Sequence, residues 1–283
     1  MKHFIPFIVA GDPCEEVTID LAIALEQAGA TILELGVPYS DPLADGPIIQ
    51  RAASRALKNG MTLTRALELI GRMRKKGVKI PIIVFTYYNP VLQLGEERFF
   101  ALAQQNGASG VLIPDLPFEE SEHMRTLGDT YDIPYISLVA PTSHERIAMI
   151  ASQAQSFLYC VSSLGVTGIR DSLPKQLHEF LQQVKSYSRV PIVVGFGIST
   201  AEQVERLQHI CDGVVIGSAI VKKIEQLQDE LNDAHTRSNA LIAFSQYVAS
   251  LIEPLKRVRK NESETTTETT TETTKTVSTG QTD

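Results

Sequence analysis

The sequence lacks several features that would place it in whole classes of protein. It has no run of about 18 apolar residues, so no membrane-spanning helix is expected. Met1–Phe4 leads into a short apolar segment with no signal-peptide cleavage pattern behind it. The three cysteines are far apart and form no CxxC pair, which excludes a disulfide framework and is typical of reduced thiols. These absences predict a cytoplasmic protein.

The chemistry is narrowed in the same way. No lysine falls inside a predicted strand, so a Schiff-base mechanism has no candidate nucleophile. The six histidines show no metal-ligand spacing, and no Ser-His or Cys-His pair stands out. The net charge of −7 gives no reason to expect a nucleic-acid partner. Acid–base catalysis by carboxylates, without a metal, is the chemistry that remains.

Short apolar segments alternate with longer amphipathic ones along most of the chain. The amphipathic segments predict helices, and Leu63, Leu67, Ile70 and Met73 show the spacing of one buried helical face. Eight such βα units favour an α/β fold, a single (β/α)8 TIM barrel over residues 1–258, with an open doubly wound sheet as the alternative. The predicted strands are Phe4–Ala10, Thr31–Leu35, Ile80–Thr86, Gly110–Pro114, Tyr135–Val139, Phe157–Ser162, Pro191–Gly195 and Gly213–Ile216.

The C-terminal segment has a different composition. Residues 259–283 are rich in threonine and glutamate, and Val277 is their only aliphatic side chain. Such a segment cannot bury enough apolar surface to offset the entropy lost on ordering. We therefore predict a disordered low-complexity tail.

The stretch Ala30–Gln50 is the strongest candidate for the catalytic part of the chain. Glu34 lies inside an apolar strand, where a carboxyl group must be paired, protonated or used in chemistry. The prolines and glycines from Pro38 to Pro47 predict a shaped loop and no helix. Asp41 and Asp45 lie on that loop, and either could be a turn residue or a partner for Glu34. A strand-end acid followed by loop acids is suited to acid–base chemistry.

Glycine-rich segments at two later strand ends predict a phosphate site. Gly195–Ser199 follows the seventh predicted strand, and Gly217-Ser218 follows the eighth, just before a helical pattern. Barrel enzymes often bind phosphate at these two positions, where glycine allows close backbone approach and a helix N-terminus offers free N–H groups. The segment Ser162–Gly168 has the composition either of a lid or of an ordinary flexible connection.

Four segments closely resemble the family of tryptophan synthase alpha subunits, and the similarity runs from Phe4 to about Ile252. The resemblance implies a (β/α)8 barrel that cleaves indole-3-glycerol phosphate to indole and glyceraldehyde 3-phosphate, a retro-aldol reaction. The matching segments are FIPFIVAGDP from Phe4, LELGVPYSDPLADGP from Leu33, SSLGVTG from Ser162 and VGFGIS from Val194.

The resemblance also implies roles for individual residues. Glu34 matches the family's catalytic glutamate, a general acid and base for the indole ring, and Asp45 matches its aspartate, which stabilises charge at the indole nitrogen. The substrate-binding positions implied are Phe7, Phe85, Leu112, Tyr159, Thr167 and Phe196, and the phosphate-binding positions are Gly168, Gly197, Gly217 and Ser218.

The resemblance further implies a partner, a beta subunit that receives indole and joins it to serine with pyridoxal phosphate in an alpha2-beta2 tetramer. No cofactor is implied for the present chain. Two other functions remain open: a different phosphate-binding barrel enzyme, such as a sugar-phosphate isomerase, and a non-catalytic subunit that activates a partner. Release of indole from indole-3-glycerol phosphate would distinguish the implied cleavage from both alternatives.

Overall fold

The computed structural model describes residues 3–162, 175–195 and 197–255. Within these ranges eight short parallel strands form one curled sheet in the order β4-β3-β2-β1-β8-β7-β6-β5. The strands are β1 (His3–Val9), β2 (Leu33–Gly36), β3 (Ile82–Phe85), β4 (Gly110–Leu112), β5 (Leu138–Val139), β6 (Leu158–Val161), β7 (Ile192–Gly195) and β8 (Gly213–Ile216).

The sheet closes into a barrel between β4 and the segment that leads into β5. Val111 and Tyr135 form an isolated parallel bridge. The Val111 N–H donates to the Pro134 carbonyl at 3.0 Å, and the Ile136 N–H donates to the Val111 carbonyl at 2.7 Å. The (β/α)8 barrel expected from the sequence is thereby confirmed, and the open doubly wound sheet is excluded.

Helices cover the outside of the sheet and bury their apolar faces against it. Leu67, Ile70 and Met73, for example, are fully buried on one face of a single helix. The helices are α1 (Glu15–Ala28), α2 (Pro47–Lys58), α3 (Leu63–Lys75), α4 (Tyr88–Leu94), α5 (Glu96–Gln105), α6 (Glu122–Tyr131), α7 (Arg146–Ser152), α8 (Lys175–Tyr187), α9 (Ala201–Leu207), α10 (Ser218–Gln226), α11 (Gln228–Asn232) and α12 (Arg237–Leu251). Within the described ranges, none of them has both the length and the hydropathy that a membrane span requires.

The expectation that no helix forms around Pro47 is wrong. The loop after β2 ends at Gly46, and α2 begins at Pro47 itself. Proline is tolerated in the first helical turn because the N–H it lacks would have had no partner within the helix. This correction is important for the site, because α2 begins two residues after Asp45.

Candidate active site

One cavity of about 320 Å³ opens at the carboxyl ends of the barrel strands. Its volume is at the lower end of the range usual for small-molecule sites. The strands and the residues just after them supply part of its wall, and the loop before α2 and the first turns of α2 and α10 supply the rest. The lining residues are Phe7, Glu34, Ala44, Asp45, Gly46, Pro47, Ile48, Ile49, Phe85, Tyr159, Gly197, Ile198, Val215, Gly217 and Ser218.

Glu34 is the buried acid of this cavity. It lies in the middle of β2, between Phe7 of β1 and Ile83 of β3, and only 2% of it is exposed. Burial raises the pKa of Glu34 to about 8, and the negative charge of nearby Asp45 contributes to the same shift. The Glu34 carboxyl is therefore mostly protonated at neutral pH, as a general acid must be.

Asp45 is less deeply buried and has a polar partner. Burial raises the pKa of Asp45 to about 6, and a hydrogen bond from the Tyr87 side chain opposes that rise. The Tyr87 hydroxyl oxygen also accepts the Ala44 N–H at 3.0 Å, which fixes the loop next to Asp45. Asp45 is therefore mostly ionised at neutral pH and supplies a negative charge opposite a neutral Glu34.

Asp41, the other loop acid, has a different environment. It is exposed on the surface, and its Oδ2 accepts the Ser40 hydroxyl at 2.6 Å. Asp41 does not line the cavity, whereas Asp45 does. The geometry therefore favours Asp45 as the partner of Glu34.

Aromatic side chains form the apolar wall. Phe7 and Phe85 meet edge to face, with ring centroids 5.5 Å apart and planes at 85°. Burial, together with the nearby Glu34 carboxyl, raises the pKa of the Tyr159 phenol, so this hydroxyl stays protonated. Such a wall suits a flat aromatic ligand.

Two glycines at strand ends make room for these rings. A Cβ on Gly36 would lie 2.4 Å from the Phe7 ring, and one on Gly195 would lie 2.1 Å from the Tyr159 hydroxyl. Gly195, which the sequence suggests as part of a phosphate site, is thus needed for Tyr159. The close approach at both positions requires glycine.

Three of the four predicted phosphate positions, Gly197, Gly217 and Ser218, line the same cavity. Gly197 lines it with a backbone φ of 79°, in the left-handed region that favours glycine. Gly217 directly precedes α10, and Ser218 is the first residue of that helix. The free N–H groups and the positive end of the α10 dipole suit an anion at this point.

Some of the expected site residues are not part of this cavity as described. Thr167, Gly168 and Phe196, with most of the expected lid, lie outside the described residues. Leu112 is fully buried in β4 but does not line the cavity. The described residues also contain no cluster of histidine, cysteine, aspartate or glutamate that could hold a metal ion.

Other residues of the site, whether they line the cavity or support a residue that does, are absent from the candidates that the sequence suggests. Tyr87 is one; its signal is an aromatic residue two positions after β3, a common place for functional side chains in barrels. Because Pro47 is predicted to lie in a loop, the sequence does not place Ile48 and Ile49 on a helix that lines the cavity. Val215 and Ile198 resemble ordinary core residues, and the sequence gives no sign that they reach a cavity.

The chain is similar to known proteins over most of its length. A family model described as "Tryptophan synthase alpha chain" matches residues 1–250. The tryptophan synthase alpha chain of a Geobacillus species is 69% identical over 253 residues, which is 89% of this chain and 96% of the relative. That of Bacillus pumilus is 60% identical over 254 residues, or 90% and 95% of the two chains.

Solved structures show the same similarity. Tryptophan synthase subunit alpha from Legionella pneumophila superposes with a TM-score of 0.80 at 33% identity, over 90% of this chain and 93% of that one. A chain of the tryptophan synthase a2b2 complex from Pyrococcus furiosus gives a TM-score of 0.80 at 35% identity, over 89% and 98%. From the family match and these identities, the chain belongs to the tryptophan synthase alpha chain family.

Proposed function

We propose that this chain cleaves indole-3-glycerol phosphate to indole and glyceraldehyde 3-phosphate. One observation carries the proposal: Glu34 and Asp45 line the same cavity and are in opposite protonation states at neutral pH. The aromatic wall fits the indole, and Gly197 together with the start of α10 fits the phosphate. The cavity therefore has a suitable place for each part of this substrate.

Glu34 acts first, as the general acid. It donates its proton to indole C3, which makes the ring an electron sink with positive charge shared by the ring nitrogen. The ionised Asp45 carboxylate accepts a hydrogen bond from the indole N–H and stabilises that charge. A fixed anion in a poorly solvated site is effective for this purpose because little water screens it.

Glu34 then acts as the base. Its carboxylate takes the proton of the side-chain hydroxyl next to the ring, and a carbonyl forms at that carbon. The bond between this carbon and indole C3 breaks, and its electron pair returns to the ring. Indole and glyceraldehyde 3-phosphate leave, and Glu34 is protonated again for the next cycle.

We further propose that the chain works with a beta subunit. Leu43 lies on the loop that carries Asp45, and 85% of it is exposed, so this mouth loop presents an apolar side chain to a partner. The similar Pyrococcus furiosus structure concerns mutual activation within an a2b2 complex. Pyridoxal phosphate chemistry would belong to that partner. Docking would favour the closed form of the mouth and raise the rate of cleavage.

The test is indole formation from indole-3-glycerol phosphate by the purified chain, with and without saturating beta subunit from the same source. We expect slow release alone and a large increase with the partner. Absence of indole in both reactions would overturn the proposed activity. Full speed alone, with no response to the partner, would overturn the proposed activation.

A further inference from the structure

An ion-pair network connects the two helices whose first turns line the cavity. Glu225 of α10 accepts hydrogen bonds from Arg51 Nε and Nη2, both at 2.8 Å. Its Oε1 also accepts Arg55 Nη1 at 2.7 Å. Arg51 and Arg55 are four residues apart on α2, so they lie on the same face of that helix. We call these three residues, together with Asp12, the α2–α10 clamp: Asp12, Arg51, Arg55 and Glu225.

The clamp extends into the barrel through Asp12. Arg55 donates to Asp12 Oδ1 at 2.7 Å and to Oδ2 at 3.0 Å, so the guanidinium holds the carboxylate with two bonds. Only 2% of Asp12 is exposed, and it lies three residues after β1. Asn59 at the end of α2 adds a hydrogen bond from Nδ2 to the Pro13 carbonyl at 2.7 Å. Helix α2 is therefore fixed both to the end of β1 and to α10.

The position of the clamp relates the two ends of the cavity to each other. Helix α2 continues directly from the loop that carries Asp45, and Ile48 and Ile49 in its first turn line the cavity next to Asp45, at the carboxylate end. Helix α10 begins at Ser218, at the phosphate end. The distance between these ends depends on how α2 packs against α10, and Glu225 bonds both arginines at that contact. A ligand that fills both ends at once requires this distance to be correct.

We propose that Glu225 and its two arginines are positioning residues, which hold the carboxylate end and the phosphate end of the site at the separation that the substrate spans. The proposal rests on the proposed function, because a substrate with an aromatic group at one end and a phosphate at the other is what gives the separation its importance. None of the clamp residues lines the cavity, so they act only through α2 and α10.

The chain contains a matched control. Glu15 at the start of α1 also binds two arginines of a neighbouring helix, Arg65 and Arg72 of α3. The side chain of Glu15 is 19% exposed and that of Glu225 is 23% exposed. Neither α1 nor α3 contributes a residue to the cavity. Glu225→Gln and Glu15→Gln thus remove the same charge from similar networks, and only the first network joins the two ends of the site.

The experiment measures binding of a ligand with both ends and of a ligand with one. Indole-3-propanol phosphate carries the ring and the phosphate, and glycerol 3-phosphate carries only the phosphate. In Glu225→Gln we expect the Kd of indole-3-propanol phosphate to rise about tenfold, because small misplacements of binding groups are costly. The Kd of glycerol 3-phosphate should change little. The KM for indole-3-glycerol phosphate should rise together with the Kd for indole-3-propanol phosphate. Glu15→Gln should keep the wild-type Kd for both ligands, even if its Tm falls as much as that of Glu225→Gln.

Equal Kd values for indole-3-propanol phosphate in the two variants would overturn the proposal. So would equal weakening of both ligands in Glu225→Gln, because the effect would then belong to the phosphate end alone. If Glu225→Gln does not fold, Arg51→Met replaces it, with Arg65→Met as its control and the same pattern expected. A wild-type chain that neither releases indole nor binds indole-3-propanol phosphate would overturn the proposed function and this inference together. An active wild type with indistinguishable variants would overturn only the inference.

Discussion

Strand β2 and the loop that follows it each supply one carboxyl group to the same cavity, in opposite environments. Glu34 is held by a hydrogen-bonded sheet with apolar neighbours on both sides, so burial keeps its pKa near 8. Asp45 lies on a loop with a hydroxyl partner, and its pKa is about 6. The same chemical group thus acquires two roles from its surroundings, a proton donor in the strand and a fixed charge on the loop.

The largest expected effect comes from removing the proton donor. Glu34→Gln keeps the shape of the side chain but cannot transfer a proton, so we expect kcat to fall by about 10²- to 10⁴-fold. Indole release measured under saturating substrate checks this. The Kd for indole-3-propanol phosphate should stay within about twofold of wild type, since the amide keeps the shape of the side chain. Near-normal turnover would show that the acid is another group.

Removing the fixed charge should cost somewhat less. Asp45→Asn leaves proton transfer in place but removes stabilisation at the indole nitrogen, and we expect a loss of about 10²- to 10³-fold in kcat. Asp41→Asn, on the same loop but outside the cavity, is the control and should remain active. An inactive Asp41→Asn beside an active Asp45→Asn would reverse the assignment.

Glu34 and Asp45 should also differ in how they make the free energy of unfolding depend on pH. A carboxyl whose pKa is raised by folding holds its proton longer in the folded state. The stability from Glu34 is therefore complete below its ordinary pKa of 4.5 and is lost as pH rises towards about 8. Glu34→Gln removes this loss, so its free energy of unfolding relative to wild type should increase by a few kcal/mol between pH 5 and pH 8, at about 1.4 kcal/mol per pH unit at most.

Urea denaturation at several pH values measures this difference. Asp45→Asn should show the same sign over the lower range from 3.8 to about 6, and a smaller change. If the stability of Glu34→Gln relative to wild type did not depend on pH, Glu34 would not have a raised pKa in the folded chain.

The smallest effect is a shift in the pH profile. Activity requires Asp45 ionised and Glu34 protonated, so kcat/KM should rise through about pH 6 and fall through about pH 8. The Tyr87 hydrogen bond lowers the pKa of Asp45. Tyr87→Phe should therefore move the acidic limb to higher pH, with a severalfold loss near pH 6 and little loss on the alkaline side.

Tyr88→Phe is the matched control for this shift. The Tyr88 hydroxyl also donates to a carboxylate, Glu96 at 2.7 Å, but that pair does not line the cavity. Its pH profile should coincide with that of wild type. An acidic limb that stayed in place in Tyr87→Phe would mean that the hydroxyl does not tune Asp45.

The sequence predicts the repeating parts of the structure well, because each depends on local pattern. Eight apolar segments separated by amphipathic ones predict the βα repeat and favour the barrel, and an acid inside an apolar segment makes Glu34 a candidate site residue. Helix α2 is missed because its first residue is a proline, for which local pattern favours a loop. Residues that act over long sequence separations are not visible either: Arg55 meets Asp12 and Glu225, which are far from it in the chain.

The site shows the same division. Glu34, Asp45, Phe7, Phe85 and Tyr159 line one cavity, as the resemblance implies, while their roles remain predictions. The sequence gives no sign of Tyr87 as the partner of Asp45, because that contact forms only when β3 lies beside β2. Nor could it separate the two pKa values quantitatively, since they depend on how deeply the fold buries each group.

The single Val111–Tyr135 bridge indicates where the barrel should open locally. Neighbouring strands elsewhere share ladders of two to four residue pairs, whereas β4 and the approach to β5 share one bridge among the described residues. Local opening should therefore begin at this seam, and the Ile136 amide should exchange with deuterium sooner than the Val84 amide inside the sheet. The seam lies away from β2, so the barrel can open there while Glu34 stays between its two neighbouring strands.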